Sequence, residues 1–165
     1  MSERLRILSE QMAYTRKYTY LVLDHTDRAR WFEFPPGCPT HIGWQIGHLA
    51  MAMAVHTLKT IGGQADLEPL PAGWLELFGK GSVPVADAGK YPSAGQLLVG
   101  FDAVYERAME ILAKLPDAVL DEPASHQITT IHRKLDLMYW VVRHEGVHTG
   151  QIALMRRMMG EGPYR

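Results

Sequence analysis

The stretch "VVRHEGVHTGQIALMRRMMG", Val141–Gly160, has an apolar stripe at helical spacing into which two histidines fall. Extended upstream, Leu137, Val141, His144, His148, Ile152 and Met155 share one face at three- and four-residue steps. Arg156 and Arg157 suit the negative end of the helix dipole, and Gly160 stops the run. The spacing predicts a helix from about Thr130 to Gly160 with both imidazoles turned toward the core.

Three more helices are predicted upstream. Ser93, three residues before Gln96, forms a capping-box pattern that opens a helix through Leu97, Val104, Ala108, Ile111 and Leu115, closed by Pro116. A second helix starts after Pro39 with Thr40 as N-cap, carries Ile42, Ile46, Leu49, Met53 and Leu58 inward, and ends at Ile61 before Gly62 and Gly63. The first runs from Ser2 to about Arg30 on Leu5, Leu8, Met12, Tyr18, Leu21 and Val22, with Thr15 interrupting the stripe. Two-residue alternation is confined to a weak strand candidate at Gln127 to Ile131. The fold class read from this pattern is all-α, a four-helix bundle in one domain, residues 1–165.

Residues Gly62 to Pro92 join the second and third helices, a connection far longer than the two to eight residues usual between antiparallel neighbours. Extended, it reaches roughly 100 Å, against roughly 30 Å for the second helix. A crossover follows, with the third helix parallel to the second and an up-down-down-up order. Trp74, Leu75, Leu77 and Phe78 are too apolar for a free loop and predict a short helix that caps one bundle end or serves as a lid.

Lys and Arg number 17 against 18 Asp and Glu, a formal charge of −1, with no basic block to follow a phosphate backbone. Nucleic acid is not an expected partner. Cys38 is the one cysteine and asparagine is absent, so neither an internal disulfide nor an N-glycan is available, which points to the cytoplasm. The N-terminus is charged and polar where a signal peptide needs an apolar core, and no run of about 18 apolar residues follows. We expect a soluble protein without a membrane partner.

On a helix, residues i and i+4 lie about 40° apart around the axis and roughly 6 Å apart along it, so His144 and His148 can address one ion. His48 is the candidate third ligand, set inside the second helix beside Gly47, where a neighbouring element can come close. Each alone reads first as an ordinary core or surface histidine. Together, three inward imidazoles are best satisfied by a divalent cation. His41 shares the face of His48 but sits roughly 10 Å away along the axis, and reads as pocket rim or surface. His25, His56, His126 and His132 default to the surface.

His144–His148 also matches H-E-x-x-H, but the zinc-peptidase pattern needs a further ligand downstream. Only 17 residues follow His148, Glu161 is their sole acid, and Gln151 and Leu154 stand where the metzincin extension needs Gly and His. "GKGS", Gly79–Ser82, fails as a phosphate loop because Gly81 follows the lysine. Glu145 projects about 80° from the bisector of the histidine pair, as a group behind the ligands, a base, or a plain surface glutamate.

"HIGWQIGHLA", "HEGVHTGQIALMRRMMG" and the linker with "PAGWLELFGKGS" resemble the DinB family, grouped with YfiT-like metal-dependent hydrolases and bacterial thiol S-transferases. The resemblance spans nearly the whole chain. It implies an up-down-down-up bundle, often a homodimer, with a metal on His48, His144 and His148. Zinc or nickel are the leading ions and iron follows. It further implies a low-molecular-weight thiol as co-substrate in some members, and a small Gly150 before Gln151 that allows close helix packing.

Two functions are carried forward. In the first, a His-bound divalent ion activates a thiol or water toward a small-molecule substrate, as a thiol S-transferase or hydrolase. Gln45 and Glu145 would then orient ligands or move protons, with Trp44 and Tyr18 walling the pocket. In the second, the chain is a metal-stabilised stress-response or interaction protein without turnover.

Overall fold

The computed structural model describes residues 1–124 and 130–164. Helix α1 spans Glu3–Leu23, opened by Ser2, whose hydroxyl accepts from the Leu5 N–H at 3.3 Å. It stops seven residues short of Arg30. The Thr26 hydroxyl takes the Leu23 carbonyl at 2.7 Å and in turn accepts from the Trp31 indole N–H, diverting the chain from the helical ladder. Arg28–Arg30 is a separate 3-10 turn.

Helix α2, Ile42–Met53, continues without a break through a π-helical segment, Ala54–Ile61. Its N-cap is His41 and not Thr40. The His41 Nδ1 accepts the Trp44 N–H at 3.0 Å, while Thr40 is turned to the Gln45 amide. Helix α3, Trp74–Phe78, is the short apolar helix of the connection, and α4, Ala94–Lys114, opens on the expected Ser93–Gln96 capping box. Helix α5 covers Lys134–Met158 and starts four residues later than Thr130, where Asp136 accepts the Arg133 N–H at 2.9 Å. The strand candidate at 127–131 lies largely outside the described residues, and among those described the β-pairing is one isolated bridge, Pro123 to Arg133.

Two core clusters fix the packing. One gathers Leu5, Leu8 and Met12 of α1 and Leu137, Met138 and Val141 of α5 with Leu58 and Ile61 beyond α2 and Ile111 and Leu112 of α4. The other joins Val22 and Leu23 of α1 and Ile152 and Met155 of α5 to Ile42 and Ile46 of α2 and Leu97 and Phe101 of α4. Each therefore brings like ends of α1 and α5 against the opposite ends of α2 and α4. This is helix-on-helix packing around a shared apolar interior.

Helix α3 does not cap a bundle end. It lies across the flank of α2 and α4, where two glycines admit its aromatic rings. A Cβ on Gly47 would stand 2.4 Å from the Phe78 ring, and one on Gly100 2.5 Å from Trp74. Among the described residues, no helix is long and apolar enough to cross a membrane.

Candidate metal centre

His48 projects from the middle of α2, and His144 and His148 from adjacent turns of α5. Their potential ligand atoms all lie within 4.8 Å of one another. His144 Nε2 is the meeting point, 3.4 Å from His48 Nε2 and 3.0 Å from His148 Nε2. Sequence spacing had suggested this grouping, and the fold brings the three together.

Two outward nitrogens are anchored. His48 Nδ1 is 2.8 Å from the Phe78 carbonyl, and because a carbonyl only accepts, this nitrogen carries the proton and leaves Nε2 with a bare lone pair. His148 Nδ1 meets the side-chain oxygen of Gln45, whose amide nitrogen donates to the Thr40 hydroxyl at 3.4 Å. His148 then also presents a bare Nε2. Burial pushes the His148 pKa down to about 4, with nearby His48 adding to the effect, and burial lowers His48 as well. Neutral imidazoles with converging lone pairs are what a divalent cation needs, and one His144 proton can satisfy only one of its neighbours.

A comparison with protein families finds the DinB superfamily model over residues 11–152. The chain belongs to the DinB superfamily. No curated protein matches it significantly.

In this DinB-superfamily chain, aromatic rings wall the three histidines. Trp44 stacks on His48 at 4.8 Å between ring centroids, and its indole N–H donates to Ser82 at 3.2 Å. Trp140, which sequence reading missed, stacks on His144 at 4.3 Å, with His56 edge-on behind it at 4.9 Å. Its position one turn before His144 on α5 was the available signal. A cavity of about 10 Å³, about one water in size, lies between Met53, Trp140, His144 and Glu145.

Several expected placements are corrected. Tyr18 does not wall the centre: it is exposed, and its hydroxyl lies 2.6 Å from that of Tyr164. On α1 the inward positions are Arg16 and Thr19, and Tyr18 falls on the outer face between them. Of the readings left open for Glu145, the surface one falls: it is buried, accepting from Arg16 Nε at 2.8 Å, Arg16 Nη2 at 3.2 Å and Thr19 at 3.0 Å. His41 is not rim or surface but wholly buried against Phe32, Phe34 and Tyr91, and burial lowers its pKa to about 4. Gly150 is exposed with open space beside it, so it mediates no close packing. His25 and His132 are exposed as expected, His56 is half-buried, and His126 lies outside the described residues.

Proposed function

We propose that this chain is a metal-dependent enzyme of the thiol S-transferase or hydrolase type, acting on a small-molecule substrate. The observation that carries the reading is the convergence of three imidazole Nε2 atoms, two of them with their other nitrogen already tied to Phe78 and Gln45. His48, His144 and His148 would hold the ion, with zinc or nickel favoured and iron next, since imidazole suits all three. When bound, it would lower the pKa of a thiol or water reaching it and supply a nucleophile at neutral pH.

The rest falls to the chain's own groups. Gln45 holds the ring of His148 by its Nδ1 and keeps its Nε2 free of a proton. Trp44 and Trp140 stack on His48 and His144 and hold these rings from the sides. Glu145, engaged by Arg16 and Thr19, is better placed to orient α5 than to accept a substrate proton.

The test begins with metal content, expected at about one divalent ion per chain. Loaded protein is then assayed with low-molecular-weight thiols against electrophiles and with hydrolysable esters and amides. Metal-dependent consumption of one class supports the proposal. A fully loaded protein silent in both screens would instead favour a non-catalytic metal protein.

A further inference from the structure

We infer that Arg16, with Thr19, is a positioning residue for the metal centre, acting from the far side of α5; the inference rests on the metal reading above. Helix α5 has two inward faces. His144 and His148 turn to α2, while Glu145 and Thr149, each one residue after a ligand, turn to α1. Both are engaged there. The Arg16 guanidinium grips Glu145 through two nitrogens, and Thr19 Oγ1 lies 3.0 Å from Glu145 Oε1 and 2.7 Å from Thr149 Oγ1. All four side chains are at least 95 % buried.

Arg16 is itself fixed on every side. It donates to the Phe101 carbonyl of α4 at 3.2 Å, faces the Phe101 ring at 3.4 Å and the Tyr105 ring at 4.3 Å, and reaches Met53 Sδ of α2 at 3.9 Å. The rotation of α5 is thus set by hydrogen bonds to α1, whose Arg16 is in turn held by α4 and α2.

Magnitudes show why this matters to the histidines. An imidazole tip roughly 6 Å from the helix axis moves roughly 1 Å when the helix turns by about 10°. Metal–ligand distances tolerate about 0.2 Å. Apolar packing alone permits such rotations more readily than a two-pronged guanidinium–carboxylate pair with directional bonds. A buried ion pair is weak evidence for stability, since apolar replacement of both partners is often neutral. Its place directly behind the ligands points to orientation instead.

The test uses cobalt(II) as a visible probe in three full-length proteins: wild type, Arg16→Met with Glu145→Met, and Thr149→Val. The double variant removes both charges together, so no lone charge is left buried. It is expected to keep wild-type helicity and midpoint, yet bind cobalt about 10- to 100-fold more weakly with shifted absorption bands. Thr149→Val, close in shape, is expected to bind about threefold to tenfold more weakly.

Wild type that takes up no cobalt sinks both the metal reading and this inference. Wild type that binds, with a folded double variant matching it in affinity and spectrum, overturns this inference alone. Where the double variant does not fold, Thr149→Val decides, and unchanged affinity and bands overturn it.

Discussion

His41 and His48 stand seven residues apart on one side of the same helical run, and burial lowers the pKa of both, yet their surroundings divide them. His41 is packed among the rings of Phe32, Phe34 and Tyr91, and its Nδ1 is used up as the acceptor that caps α2. His48 has its Nδ1 tied to a carbonyl and its Nε2 turned to two other imidazoles. An imidazole buried alone serves the fold, whereas one buried with others of its kind, lone pairs converging, is suited to a cation.

The sharpest way to break this contrast is to remove each ring. His48→Ala should reduce bound metal from about one ion per chain to none by elemental analysis, while exposed His132→Ala leaves it unchanged. Loss of metal in His41→Ala would erase the distinction. Next in size, Gln45→Leu frees the His148 ring and should weaken metal affinity about 10- to 100-fold in a chelator competition. His41→Ala should leave affinity intact but cost about 2 kcal/mol in urea unfolding, from the lost cap and the emptied ring volume. His41→Asn, which can still cap, should recover about half of that.

The smallest effect concerns pH. His41 in the unfolded chain titrates at about 6.5, but in the fold only at about 4. Between these values the unfolded state binds more protons, so this group's contribution is present above about pH 6.5 and is lost as pH falls toward 4. Metal-free wild type should therefore lose more stability than His41→Asn between pH 6.5 and 4.5, and parallel curves would remove His41 from the account.

The helices were legible because their stripes recur at helical spacing and their ends carry capping chemistry, as Ser93 and Gln96 show. The pairing of His144 with His148 followed from the four-residue step, and Gly47 marked a close approach that Phe78 does make. Arg16 stayed hidden because a stripe is read from apolar residues. With Arg16 and Thr19 discounted as polar, Tyr18 and Leu21 were drawn into a face from which they are in fact exposed. The burial of His41 was equally invisible, since Phe32, Phe34 and Tyr91 come from stretches without periodicity and meet only in three dimensions. The readings of Glu145 stayed open in the sequence because its partner lies 129 residues away.

The Phe78 carbonyl belongs to the long connection, yet it settles which nitrogen of His48 is left bare. Connections of this kind are where protein engineers trim, graft or insert first. Here, shortening the segment by a few residues would withdraw that oxygen and let the ring flip its tautomer, so an edit far from the ligands in sequence would be felt as poorer loading of the ion.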